Sequence, residues 1–261
     1  MSETIAIVNQ KGGVGKTTTT INVGACLAAA GYKTLLIDAD AQGNTTSGLG
    51  ISKQNLKENF YHFLMHEAPL EKVLMEGPLP DLFIIPSNRD LLGINQELIS
   101  IESRELLLKR AMDRALSSAG ADKFDFIIID SPPNLDLLSV NIMATAGKLI
   151  IPTLPEYLSL EGLADLLDTY KRVRETINPR LSILGVLITK HSSTNNLSKE
   201  VTADLRRNMG NLVFETVIPQ NVRLAEAPSH CQPIILYDPK SSGSLSYQAV
   251  TLEIIKRCAS K

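Results

Sequence analysis

Near its start the chain reads Lys11-Gly12-Gly13-Val14-Gly15-Lys16-Thr17-Thr18, two lysines bracketing a run of glycines. This combination suits phosphate chemistry. Glycine lets successive backbone N–H groups converge on phosphate oxygens, and a following helix adds the partial positive charge of its N-terminus. Lys16 is placed to hold the β- and γ-phosphates of a nucleotide, and the Thr17 hydroxyl to bind Mg2+. The expected nucleotide-binding stretch is Gln10, Lys11, Gly12, Gly13, Val14, Gly15, Lys16, Thr17 and Thr18. The strict pattern G-x-x-x-x-G-K-[ST] is not met, because Gln10 stands where its first glycine falls.

Three carboxylates complete the chemistry. Leu35-Leu36-Ile37-Asp38-Ala39-Asp40 and Phe126-Ile127-Ile128-Ile129-Asp130 are apolar runs that end in acids. In open parallel sheets, ligands sit beyond the carboxyl ends of the strands, so both acid ends are expected to face the loop. Asp130 is expected near Mg2+ through a water, and Asp38 to support the waters of the metal. Asp40 is the candidate for positioning an attacking water. An ordinary Asp has a pKa near 4, which makes it a weak base at neutral pH and favours orientation over proton abstraction. Phosphoryl transfer depends mainly on such positioning and on charge neutralisation. Lys11, Lys16 and Asp40 form the candidate catalytic set. Pro132 and Pro133 fix the backbone just after Asp130, where a γ-phosphate could be sensed.

These groups need elements to hold them. The apolar, β-prone run Thr4–Val8 reads as a buried strand, and Thr18–Ala30 as a helix buried on most sides. Strand, glycine turn and helix are the context that a phosphate loop requires. Further strand-like runs lie at Thr34–Asp38, Leu82–Pro86, Phe124–Asp130, Lys148–Thr153, Ser182–Thr189 and Leu212–Val217. Several are unbroken Ile/Leu/Val, as expected of strands buried on both faces. Helical stretches are expected at Ser103–Ala119, Leu137–Ala146, Leu158–Asn178, Leu197–Asn208 and Leu245–Ala259, with a helical excursion over Ser52–Pro80. Strands alternating with helices predict an α/β fold, a doubly wound, mostly parallel sheet flanked by helices of the P-loop NTPase type. With no long linker, low-complexity tract or internal repeat, residues 1–261 read as a single domain.

Composition narrows the classes. Apolar residues make up 44% of the chain, enough for a sizeable core, yet there is no apolar run of membrane-spanning length. The start, Met-Ser-Glu-Thr, lacks a basic region and an apolar signal segment, which predicts a cytoplasmic protein. Cys26, Cys231 and Cys258 are far apart with no C-x-x-C, and read as reduced, small apolar fillers. The net charge of −2 hides an asymmetry. Residues 1–170 hold 13 Lys/Arg against 21 Asp/Glu, whereas residues 171–261 hold 13 against 7. The C-terminal third could therefore present a basic face.

Further segments carry a family resemblance. The loop, with its lysine at the front, resembles the deviant Walker A group of NTPases. Asp38-Ala39-Asp40-Ala41-Gln42-Gly43-Asn44 resembles the D-x-D-P-Q-x-N segment of chromosome-partitioning ParA proteins of the Soj type. Asp130-Ser131-Pro132-Pro133 resembles their D-x-P-P switch. Ile218-Pro219-Gln220-Asn221-Val222-Arg223-Leu224-Ala225-Glu226-Ala227-Pro228-Ser229-His230 and Tyr237-Asp238-Pro239-Lys240-Ser241 resemble two later segments. The matches run in order along almost the whole chain.

The resemblance implies a slow, Mg-dependent ATPase that dimerises on ATP, binds DNA without sequence preference in that state, and acts in chromosome or plasmid partition. A ParB/Spo0J-like partner triggers hydrolysis, and the protein associates with the nucleoid. Lys11 then crosses to the nucleotide of a second subunit, a point charge given in trans. Pro219 and Asn221 border the adenine. Arg223, with Lys199, Arg206 and Arg207, belongs to the DNA face. Departures are Gln220 in place of Arg, Thr194 where a basic residue is usual, Cys231 for Gly, and Ala41 for Pro. Losing cations there weakens a salt-sensitive affinity unless other lysines carry it. The alternative is a membrane-associated septum-placement ATPase of the MinD type, which needs an amphipathic C-terminal helix. Val250, Ile254 and Cys258 instead read as a stripe facing the core.

Overall fold

Apolar residues alternate between two cores along the central strands of the computed structural model, which describes residues 2–117 and 124–259. Its strands are β1 (Glu3–Ile7), β2 (Thr34–Asp38), β3 (Met75–Glu76), β4 (Leu82–Ile85), β5 (Phe126–Asp130), β6 (Lys148–Thr153) and β7 (Ser182–Ile188). They form one sheet in the order β3-β4-β2-β5-β1-β6-β7. Every ladder is parallel except β3–β4. The helices are α1 (Lys16–Ala29), α2 (Asn44–Gly48), α3 (Phe60–Leu64), α4 (Leu70–Val73), α5 (Ile94–Leu98) and α6 (Leu107–Ser117). They continue with α7 (Leu137–Thr145), α8 (Tyr157–Thr176), α9 (Asn196–Met209), α10 (Val222–Glu226), α11 (Ile234–Tyr237) and α12 (Ser242–Ala259).

The two faces are separate layers because side chains alternate across a strand. Ile5, Ile7, Leu36, Ile128 and Ile150 join α1 and α12 in one core. Ala6, Leu35, Ile37, Ile127, Ile129 and Leu149 join α6, α7 and α8 in the other. This is the doubly wound arrangement expected from the strand–helix alternation. Val250 and Ile254 are fully buried and Cys258 nearly so, so the last helix lays its apolar stripe on the sheet. Among the described residues, no helix is long and apolar enough to cross a membrane.

Four expectations need correction. Leu212–Val217 is not a strand: Val213 makes an isolated bridge to Val186, and the Glu215 and Thr216 amides donate to the Glu253 carboxylate instead of a ladder. The helix expected from Ser103 begins only at Leu107, after a 3-10 turn at Arg104–Leu106, because Ser103 takes a left-handed φ of 50°. Its expected end at Ala119 lies outside the described residues. The Ser52–Pro80 excursion contains α3 and α4 but also β3, which adds the sheet's antiparallel rim. Cys26 and Cys258 are buried fillers, whereas Cys231 is exposed in a left-handed turn at φ 57°.

The outer side of β7 is closed off by side chain and strap. Arg257 donates to Leu184 O at 2.8 Å and lies over the Phe214 ring, while the Phe214 and Ile218 amides donate to Val186 O and Ile188 O. Ile128 sits at the middle of β5, fully buried between β1 and β2. Truncation there leaves a cavity, so Ile128→Ala is expected to lower the unfolding free energy by about 2–5 kcal/mol. Urea unfolding of the nucleotide-free chain checks this, and an unchanged midpoint would contradict it.

Candidate functional site

The loop after β1 is braced by its neighbours. Asn9 donates from Nδ2 to Pro152 O at the end of β6 (2.7 Å), and its Oδ1 accepts the Lys11 amide (2.9 Å). Thr189, just past β7, donates to Val14 O at 2.8 Å. Gly15 takes φ 89° at the mouth of α1, a conformation that side-chain-bearing residues rarely adopt. A left-handed turn ahead of a helix N-terminus is the kind of backbone that a phosphate cradle uses.

Lys16 folds back over this turn, with Nζ 3.4 Å from Lys11 O. It is buried, which pushes its ammonium pKa down, while the charges of Asp130 and Asp40 act against that shift. Lys11 goes elsewhere. Its Nζ donates to Glu156 Oε2 at 2.8 Å and to Ser159 Oγ at 3.1 Å, at the start of α8. Gln10 also turns its side chain to α8, donating to Asp165 Oδ2 and Gly162 O. Its share in the cradle is thus backbone. Gly12 and Gly13 are exposed at the loop tip, whereas Val14 is buried.

Asp38 and Asp130 end neighbouring strands in register and are both fully buried. Asp130 Oδ2 accepts two hydroxyls, Thr17 at 2.8 Å and Thr45 at 2.7 Å. Asp38 Oδ2 accepts the Thr46 amide (2.8 Å) and hydroxyl (2.7 Å), and its Oδ1 accepts the Asp40 amide. Burial, first, and then mutual repulsion push the Asp130 carboxyl well above the ordinary carboxylate range. Burial does the same to Asp38 against the pull of its Thr46 donors, with a smaller push from Asp40. Asp40 is half-buried and holds the Gln42 amide through Oδ1 at 2.9 Å.

One oxygen of the acid pair is buried without a partner among the described residues. Asp130 Oδ1 accepts no hydrogen bond among the described residues. A buried carboxylate oxygen in that state is costly, and a water of a divalent cation would satisfy it. With Thr17 adjacent, the donors are hard oxygens from one hydroxyl and one or two carboxylates. That is the protein share of a Mg2+ site completed by phosphates. Thr17, Asp130 and Asp38 fit the metal assigned to them.

A cavity of about 420 Å3 adjoins the loop, lined by Gly15, Thr18, Pro219, Asn221, Leu224 and Tyr247, among others. Pro219 and Asn221 thus line the same cavity as Gly15 and Thr18 of the phosphate loop. Asn221 also caps α10 through the Arg223 amide and donates to Ser242 Oγ, so its side chain is already fixed. Tyr247 OH meets Thr19 Oγ1 at 3.2 Å. A larger open groove of about 980 Å3 runs along the start of β7, and no phosphate-loop residue lines it. Of these two cavities, only the smaller is lined by phosphate-loop residues.

The basic residues lie apart from this cluster. Lys199, Arg206 and Arg207 sit on α9, and the first two lie close enough to His191 to lower its pKa, after the larger effect of burial. Arg207 pairs with Asp204, and Arg206 donates to Glu215 O. Arg223 on α10 pairs with Glu226 (2.9 Å) and Asp238 (3.5 Å). Asn9, Thr45, Thr46, Glu156, Ser159 and Tyr247 are site residues that sequence reasoning missed. The Asn44-Thr45-Thr46 run directly after the acids was the available signal for two of them.

Residues 2–183 match a family model described as AAA domain. The chain is 44% identical over 253 residues to the chromosome partitioning protein ParA of Caulobacter vibrioides (strain NA1000 / CB15N), spanning 97% of this chain and 94% of that protein. It is also 44% identical to the sporulation initiation inhibitor protein Soj of Bacillus subtilis (strain 168), spanning 97% and 98%. Among solved structures, cobyrinic acid a,c-diamide synthase from Mycobacterium smegmatis with bound ADP and magnesium superposes at a TM-score of 0.86. It is 31% identical, with 100% of this chain and 96% of that one covered.

The raised carboxyls make stability depend on pH. Folded Asp38 and Asp130 keep protons that their unfolded counterparts lose near pH 4. Without metal and nucleotide, stability is therefore expected to fall as pH rises above that range. Removing one charge relieves the pair, so Asp130→Asn is expected to melt higher than the parent near neutral pH and to show a flatter pH trend. Thermal melts in chelator across weakly acidic to neutral pH check this, and a lower-melting variant would contradict it.

Proposed function

The chain belongs to the ParA/Soj family of chromosome-partitioning ATPases, and on that premise we propose that it is a nucleotide-driven switch for DNA partition. ATP with Mg2+ is the substrate form. The ATP-bound chain pairs with a second copy, binds DNA without sequence preference, hydrolyses ATP slowly, and is released by a ParB-like partner. It works in the cytoplasm on the nucleoid.

The observation that carries this reading is the position of Lys11. One lysine, Lys16, already lies over the phosphate turn, while the forward lysine is held in cis by Glu156 and Ser159. An exposed ion pair of this kind is worth only about 0–1 kcal/mol, so Lys11 is readily given up to a stronger anion. The terminal phosphate of a facing protomer is such an anion. Lys16 and the loop amides would bind the phosphates, and Thr17, with Asp130 and Asp38 through waters, would hold a Mg2+ that supplies charge neutralisation to phosphoryl transfer. Asp40 orients the attacking water. The base enters the slot between Pro219 and Tyr247. Arg223, Lys199, Arg206 and Arg207 form the candidate DNA face. Two of them already carry acid partners, which supports a modest affinity.

Lys16→Ala is expected to abolish ATP binding by calorimetry, whereas Lys11→Ala is expected to keep ATP affinity within a few-fold but lose the ATP-dependent dimer in light scattering. A Lys11→Ala dimer with normal turnover would refute the role in trans. In gel shifts, DNA is retained with ATP but not with ADP or without nucleotide. Arg223→Glu weakens that shift and lowers its salt dependence without changing ATP affinity; an unchanged shift would place the DNA face elsewhere.

A further inference from the structure

Asp130 can offer the metal only the oxygen that its neighbours leave bare. A carboxylate has about four acceptor positions, two on each oxygen. Both positions of Oδ2 are taken, by the Thr17 and Thr45 hydroxyls, and Oδ1 is left without a donor among the described residues. Two donors on one oxygen fix the plane of the group. With Thr17 alone, the carboxylate can turn so that either oxygen meets that hydroxyl.

The two threonines are not equivalent. Thr17 belongs to the phosphate loop and shares its oxygen with the metal when the metal is bound. Thr45 is fully buried on α2 and, among the described residues, has no second partner for its hydroxyl. Its position is set from outside the phosphate loop. The next residue, Thr46, holds Asp38 through both its amide and its hydroxyl, and that hydroxyl accepts the Ser87 amide at 2.9 Å. Gly43 starts α2 at φ 60°, and a Cβ there would lie 2.6 Å from Ser87 O. The helix is therefore seated tightly against the end of β4.

We infer that Thr45 is a positioning residue for the divalent cation: its hydroxyl locks Asp130 with Oδ1 presented to the metal's water, and so ties the seating of α2 to metal occupancy. This rests on the Mg-nucleotide reading above. Groups that orient metal-binding residues are typically worth 10–100-fold in metal affinity.

The test uses the full chain, MgCl2 and a fluorescent ADP analogue. Thr45→Val keeps the side-chain volume and removes the hydroxyl. It is expected to raise the Mg2+ dissociation constant about 10–100-fold, while analogue binding in chelator stays close to the parent's. Thr45→Ser, which keeps the hydroxyl, is expected to restore Mg2+ affinity. A Thr45→Val chain with the parent's Mg2+ affinity overturns the proposal. So does one that loses metal-free ADP binding in equal measure, because that marks a merely structural role. If the parent itself binds the analogue with no response to Mg2+, the Mg-nucleotide reading falls and this inference with it.

Discussion

Two carboxylates held side by side away from water are a liability that the rest of this molecule is arranged around. Asp38 and Asp130 meet because β2 and β5 are paired in register at the end of the sheet where the phosphate loop lies. Neither can be fully charged there without cost, and each is given hydroxyl or amide donors to offset it. Lys16 supplies a nearby cation from the chain itself. What remains is a site short of positive charge and supplied with bare oxygen, which is the physical reason it suits a magnesium nucleotide.

The same constraint explains the local architecture. The acids must end strands, so the runs before them are almost wholly apolar and buried on both faces. The phosphate loop must neighbour them, so β1 lies beside β5, and Asn9 and Thr189 pin the loop to the ends of β6 and β7. Helix α1 must then sit under the loop, against β2 and β5 on one side and α12 on another, which is why it is buried nearly all round. The family relationship and the shared fold with an ADP- and magnesium-bound synthase agree with a scaffold built around this point.

Much of this was legible in the sequence where the signal is local. The strand–glycine–helix order, the apolar runs ending in Asp38 and Asp130, and the Val250, Ile254 and Cys258 stripe all declare themselves within one element. What was not legible depends on partners far apart in the chain. Glu156 and Ser159 meet Lys11 across about 145 residues, and no period or pattern in the sequence announces that pairing. Leu212–Val217 has every strand propensity, yet Glu253, carried on α12, takes the Glu215 and Thr216 amides that a ladder needs. Thr45 and Thr46 looked like ordinary polar residues after a turn. Only the fold shows that each caps a different buried acid.

The treatment of the sheet's two rims has a consequence for colloidal behaviour. On one side the last strand is two residues long and antiparallel; on the other, Arg257, Phe214 and the 213–218 strap occupy carbonyls that β7 would otherwise offer to a passing chain. Short or covered borders of this kind deny a template for strand-by-strand accretion into fibrils. Self-association through the backbone is thereby discouraged.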